Sequence, residues 1–485
     1  MTDGVRQCNC RGVRKKMPTV WAIRWMLDRP FLATFKEEGV SIMKKIQSMD
    51  EGTFLRWFFG AFSVAALIAA VCMPDRGQML SGLGQIVSQP SKISTNYFAV
   101  GGYAATFLNM ALVGFAALGL FVVFRGTPNN VSNLAFLLTL GFTSWGINIV
   151  NIWPTVFGVM LYGLVKKEKQ GSLVNAMLFS TGIAPLITDL MIRYPNAEVV
   201  GFNLAGIAVS LIVGFCIGFF LPAGLANSPK VHKGFDLYSA ALPIGMTAFF
   251  LNAVLYKTFG VALPAAPDAA TLQVASQSVT NVFCLIVFGT CVALALAMGC
   301  KPGAYWAVIR RLDSDVNLSG SQGNAMFLMN VGVFGLFILA WYNLIGASFN
   351  GVTFGIIFCM LATCDSGSNP VTVWPIMAGY FLASLVSGWL SGLAGGSFAG
   401  AINAQAICVG LCYANGLSPI CRKYGFGLGI LAGTMHYLLV TSVPNLHGGY
   451  CLYNGGFTAA LICILLVPIL ERFARTREER LAVKK

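Results

Sequence analysis

The chain has 485 residues, of which 56% are hydrophobic and 10% charged, and its mean hydropathy is +0.72. This balance excludes an ordinary soluble domain, and its apolar runs of about 20 residues suit helices crossing a ~30 Å hydrocarbon layer. The net charge of +14 sits in the tails, with ten Lys and Arg before Arg56 and six after Glu471. It reads as a signal for membrane orientation, and no nucleic-acid partner is expected.

Residues 1–53 form a basic leader interrupted by Pro18 and Pro30, without the apolar core of a secretion signal. Trp21, Trp25, Met26, Leu27 and Phe31 suit a short interfacial helix, and a flexible leader fits equally well. Cys8 and Cys10 lack the partners of a metal site, and the other twelve cysteines lie in or beside apolar segments as small hydrophobes. A first membrane repeat spans 54–262, with apolar segments at 55–74, 97–124, 131–165, 173–192, 199–221 and 235–258. After a linker at 263–275, a second repeat spans 276–470, with segments at 276–299, 325–345, 351–391, 397–415, 425–443 and 454–470. A basic tail, 471–485, closes the chain. The continuous runs predict helices, since barrel strands alternate over ~10 residues.

The two repeats share a register. GINIVNIWP at 146–154 matches GSNPVTVWP at 367–375, since 367 − 146 and 375 − 154 both equal 221. The same offset carries Asn96 to Asn317, Gly102 to Gly323, Asn109 to Asn330, Gly114 to Gly335, Asn129 to Asn350 and Gly158 to Gly379. A second repeated constellation runs from His232 to Tyr238 and from His447 to Tyr453, where 447 − 232 equals 215. TGIAP at 181–185 likewise matches NGLSP at 415–419.

Loop charges set the topology. Twelve full crossings would put ten basic loop residues outside and five inside. If the third segment of each half enters and leaves on one side, eleven are inside, and only Arg76, Lys92, Arg193 and Lys257 stay outside. The predicted fold is therefore an all-α polytopic membrane protein of two inverted repeats. Each has about five transmembrane helices plus one re-entrant or broken segment, and both termini are cytoplasmic in a plasma membrane. Gly367, Asn369, Pro370, Pro154 and Pro375 disfavour helix within the third segments, and irregular backbone at that depth must be buried or line an aqueous cavity.

Ionisable groups at membrane depth are candidates for function. Asp365, replaced by Ser144 in the first repeat, reads either as a ligand for Na⁺, a proton or a cationic substrate, or as a cap for the next half-helix. Ser366, Ser368, Asn369, Thr372, Asn148 and Asn151 offer neutral oxygens and amides beside the turns. Trp153 and Trp374 read as walls of a site or as packing anchors. His436 is a proton relay or a packed core histidine, and His232, Asp236, His447, Tyr453 and Asn454 form the repeated motif, as turn or pathway residues. Asp189 and Arg193 read as a structural i, i+4 pair. No enzyme motif, cofactor fingerprint or metal spacing is present, and the possible coupling ions are Na⁺ or H⁺.

NYFAVGGYAATFLN, GSNPVTVWP and LHGGYCLYNGGFTAALI together resemble a bacterial integral-membrane family carrying a domain of unknown function in two tandem copies, over about 55–470. That resemblance implies the two-repeat plan and no activity. The chain is also loosely similar to urea channels, through Tyr453-Asn454-Gly455, which the first copy replaces by Tyr238-Ser239-Ala240. The leading expectation is an ion-coupled secondary transporter of a small solute, with its site between the hairpins around Asn148 and Asn369. A passive channel for a small neutral solute and a non-transporting scaffold are the alternatives. The lipid bilayer is the expected environment, and small-residue runs such as 391–400 permit a homo-oligomer.

Overall fold

The computed structural model describes residue 39 and residues 41–193, 201–258, 277–311 and 317–482. The expected interfacial stretch at 21–31, the Cys8–Cys10 pair and the linker 263–275 lie outside the described residues. Every described regular element is helical, and eight helices are long and apolar enough to cross a membrane. The first repeat contains α1 (Glu51–Cys72), α2 (Tyr97–Val123), α3 (Asn130–Phe142), α4 (Trp153–Lys166), α5 (Val174–Ser180), α6 (Ala184–Arg193), α7 (Leu204–His232) and α8 (Ala241–Asn252). The second contains α9 (Gln277–Ala297), α10 (Asn324–Leu344), α11 (Gly351–Leu361), α12 (Pro370–Leu393), α13 (Gln405–Ala414), α14 (Ser418–Tyr424), α15 (Phe426–Val440) and α16 (Asn454–Phe473).

The repeat is visible in local structure. Asn129 with Ser132, and Asn350 with Thr353, close matching capping boxes at the starts of α3 and α11. Gly102 and Gly323 take φ of 86° and 87°, a left-handed conformation that a β-carbon would oppose. Both third segments are broken. α3 and α4 flank an irregular turn, and α11 and α12 flank another that contains Gly367 with φ of 97°.

Each broken segment returns to the end at which it began. Gly126, ahead of α3, lies so near Gly171, beyond α4, that a β-carbon on Gly126 would sit 2.7 Å from the Gly171 carbonyl oxygen. Asn350, ahead of α11, donates from Nδ2 to Gln405 Oε1 (2.6 Å) at the start of α13. The helix leading each repeat marks the mouth, since Arg56 donates to Gly126 O (2.7 Å) and Gln277 to Ala347 O (3.4 Å). These acceptors are themselves related by the offset, 347 − 126 being 221.

The mouths face opposite ends of the bundle. At the start of α10, Asn324 donates to Ile46 O and Met49 O (3.0 Å each), beside the start of α1. Near its far end, Asn343 pairs with Gln277 and Asn281 at the start of α9. α1 and α9 therefore begin one helix-length apart, each beside its own hairpin mouth.

Between the mouths, α3 and α11 cross antiparallel. Ser144 Oγ donates to Gly351 O (2.6 Å), Gly141 meets Gly355 in the middle, and Asn133 Nδ2 donates to Ala362 O (3.5 Å). The stretch from 133 to 144 spans ~16 Å of helix. Small residues let the backbones approach: a β-carbon on Gly355 would stand 2.2 Å from Gly141 O.

The fourth segments also break, at Thr181–Ile183 and Asn415–Leu417, where the sequence repeats TGIAP as NGLSP. The two breaks receive the His-to-Tyr motif of the opposite repeat. Leu452 N–H donates to Gly182 O (2.9 Å), and Leu237 N–H donates to Gly416 O (3.0 Å). The fifth segment runs farther than the expected 199–221, because Pro222 and Pro229 are accommodated inside α7. The chain then turns at Lys233 and Gly234, with φ of 52° and 79°, which leaves α8 only 12 residues long.

Candidate substrate pathway

Each re-entrant turn is clamped by an asparagine on the neighbouring long helix. Asn109 donates from Nδ2 to Thr143 O and Ile147 O (2.8 Å each). Asn330 donates to Cys364 O (2.8 Å) and Ser368 O (2.9 Å). Carbonyls freed by the breaks thereby regain donors in the core, where an unmet one costs about 1–3 kcal/mol.

The expected polar residues of the turns satisfy backbone. Asn148 Oδ1 accepts from Val150 N (3.0 Å) and Asn151 N (2.9 Å). Asn369 Oδ1 accepts from Val371 N (2.9 Å) and Thr372 N (3.2 Å), and Thr372 completes that capping box. Asn151 Nδ2 reaches Gly146 O (3.0 Å) and Thr188 Oγ1 (2.8 Å), while Ser368 Oγ lies 3.3 Å from Ser418 Oγ. Asn148 and Asn369 share no hydrogen-bond partner, because the turns stand at opposite ends of the α3–α11 crossing. The half-helices meet at Gly141 and Gly355 instead.

Asp365 is fully buried, and the cap reading does not describe it: Asn369 caps α12. Its carboxylate accepts from the Ser319 amide (2.8 Å) and the Ser319 hydroxyl (2.7 Å). The same hydroxyl lies 3.0 Å from Glu51 Oε1, to which Asn317 Nδ2 also donates (3.2 Å). Two carboxylates, one serine side chain and one asparagine side chain thus gather at one place. Ser366, the next residue, offers its carbonyl to Arg422 Nη2 at 3.5 Å. Arg422 lies buried on α14, brought there by the break at Asn415–Leu417.

Trp374 is 41% exposed and packs on Phe426, so it faces outward and away from the crossing. Trp153 stacks on Phe157. His436 is buried between Tyr380 OH (2.5 Å from Nδ1) and Gly455 O (2.9 Å from Nε2). A carbonyl only accepts, so Nε2 carries hydrogen and Nδ1 accepts from tyrosine, which occupies both nitrogens of a neutral ring. His232 accepts from Asp236 N (3.3 Å) and contacts Ser239 Oγ (2.8 Å). Asp236 Oδ1 accepts from Tyr238 N (2.9 Å). His447 is buried with neither nitrogen bonded, Tyr453 OH is also unpartnered, and Asn454 opens α16. Asp189 pairs with Arg193 at 3.2 Å and accepts from Tyr256 OH (2.8 Å), as a tie at one end of the bundle.

Ser319, Glu51, Asn109 and Asn330 escaped the sequence reading as site residues. Only the asparagines left a signal there, as a matched pair at offset 221.

The family described as "Protein of unknown function (DUF1576)" matches residues 75–257 and 309–472, one stretch for each repeat. The chain belongs to this family. No curated protein and no solved structure matches it. The DUF1576 chain is thus a polytopic helical membrane protein whose matched stretches both contain a broken third segment and a clamping asparagine.

Proposed function

We propose that this protein is a secondary transporter of a small solute, coupled to Na⁺ or protons at Asp365, and built as two inverted repeats in the plasma membrane with cytoplasmic termini. The observation that carries the reading is the antiparallel crossing of α3 and α11, two half-helices entering from opposite ends and meeting in the buried core. Broken helices of inverted repeats meeting near the midplane are the common plan of such transporters. Asp365 adds the coupling element, because a carboxylate facing Ser319 and Glu51 gathers the oxygen ligands that a hard cation or a proton needs.

The test is thermal unfolding of purified protein in detergent, with and without Na⁺ and across pH, for wild type and Asp365→Asn. A ligand of the native state raises the melting temperature by mass action. Saturable stabilisation by one ion, absent in the variant, is the expected result. No ion response in wild type would remove the coupling role.

A passive channel for a neutral solute is the second reading. It is favoured by the unpartnered Tyr453 hydroxyl deep in the core. Flux independent of any ion gradient would select it.

A further inference from the structure

The two motif tyrosines occupy equivalent places, yet only one is satisfied. Tyr238 OH lies 2.8 Å from Cys359 O, 3.1 Å from Cys412 O and 2.7 Å from Asn415 Oδ1. Its counterpart Tyr453 is also fully buried, and its hydroxyl bonds to nothing. One of the three partners differs at the fourth-segment break: Asn415 corresponds to Thr181, since 415 − 181 is 234, the offset of the two breaks. Thr181 Oγ1 donates to Leu178 O (2.7 Å).

A second donor stands nearby without a partner. Trp145 is fully buried, and its Nε1 has no acceptor. Trp145 and Tyr453 pack edge-on against the same ring, Phe142, with centroids at 5.4 Å and 5.2 Å. On α11, Trp145 Nε1 is placed at Gly355, 2.7 Å from where a β-carbon would be. Both donors are therefore buried beside Phe142, at the end of α3.

We propose that Trp145 Nε1 and Tyr453 OH form the midpoint binding site for a small uncharged carbonyl solute, whose oxygen accepts from both. This rests on the transport reading and names its substrate class. An indole N–H only donates, so the ligand must bring an acceptor. Phe142, Phe179 and Gly182 wall the place, with Phe179 at 6.4 Å from the Tyr453 ring and Gly182 against its edge. None of these walls provides a counter-charge, and burying an unpaired ion is far costlier than burying a neutral amide.

The test uses full-length protein with acetamide and urea as probes, read in two ways. Binding is followed by intrinsic fluorescence in detergent, and flux by light scattering of reconstituted vesicles against protein-free ones. Wild type, Tyr453→Phe, Trp145→Phe and Tyr238→Phe are compared. Tyr453→Phe is expected to keep the wild-type melting temperature, since no bond is lost, and to weaken probe binding about tenfold. Tyr238→Phe, which loses three contacts, is expected to lower the melting temperature. Binding without flux would uphold the site and overturn transport. Flux unchanged in Tyr453→Phe and Trp145→Phe would uphold transport and overturn the site. No saturable response to either probe, by binding or flux, would overturn the substrate class and leave the two hydroxyl and indole groups as partners of water only.

Discussion

Asn109 and Asn330 make the same pair of bonds 221 residues apart. Asn109 Nδ2 holds Thr143 O and Ile147 O, and Asn330 Nδ2 holds Cys364 O and Ser368 O, all at 2.8–2.9 Å. Each acceptor maps onto its counterpart by the same offset as the donors, 364 − 143 and 368 − 147 both being 221. The duplication thus extends from residue identity to individual hydrogen bonds, and it does so where helix is interrupted inside the core.

Removing either clamp strands two buried carbonyls. Asn330→Leu is expected to lower stability by about 2–4 kcal/mol. Asn109→Leu should cost a similar amount, because each Oδ1 also accepts one bond, from Ile149 N (3.1 Å) in Asn109 and from Tyr305 OH (2.9 Å) in Asn330. Thermal unfolding in detergent checks both.

The crossing depends on the absence of side chains. Gly355→Ala would put a methyl 2.2 Å from the Gly141 carbonyl oxygen, a backbone atom that cannot swing aside. A loss of about 1–3 kcal/mol follows from such overpacking. Gly289→Ala on α9 is the control, since nothing lies within 4 Å of its β-carbon. It should match wild type in melting temperature.

Ser319 should matter as much for fold as for coupling. Ser319→Ala keeps the amide bond to Asp365 Oδ1 but removes the hydroxyl that joins Asp365 to Glu51. A fall of about 1–3 kcal/mol in stability is expected. The concentration of Na⁺ needed for half-maximal stabilisation, or the pH midpoint if protons couple, should shift as well.

At the start of α1, Asp50 Oδ1 accepts from Thr53 N (2.9 Å), and hydrogen bonding to Thr53 holds its carboxyl below the ordinary value of 3.8. A folded-state value below the unfolded one stabilises above the ordinary range and is lost as pH falls through it. Asp50→Ala should therefore narrow the difference between melting temperatures at pH 7 and near pH 3. An unchanged difference would remove the cap from the account.

Much of this was legible in the sequence. The offset of 221, the broken third segments and the loop charges all predicted hairpins that return to one side, and the contacts at Gly126–Gly171 and Asn350–Gln405 have that form. Local signals sufficed there, because caps, prolines and glycines act on their own backbone. The place where the hairpins meet was not legible. Asn148 and Asn369 stood out as repeated polar residues, yet they cap their own half-helices, whereas Gly141 and Gly355 are featureless in an apolar run. Nor did the sequence disclose that Asp365 faces Ser319 and Glu51, or that each Tyr motif packs on the other repeat's break. Those contacts join residues far apart in the chain, and no periodicity or spacing encodes them.

The arrangement of the mouths is the centre of this account, and cysteine accessibility tests it most directly. Lys167 follows α4 and Ser397 follows α12, and both are exposed. Single cysteines would be placed there after replacing Cys8, Cys10 and the exposed Cys72 and Cys216, then challenged with a membrane-impermeant maleimide in intact and permeabilised cells. Ser397→Cys should label in intact cells, and Lys167→Cys only after permeabilisation. Labelling of both from the same side would contradict hairpins that open on opposite faces.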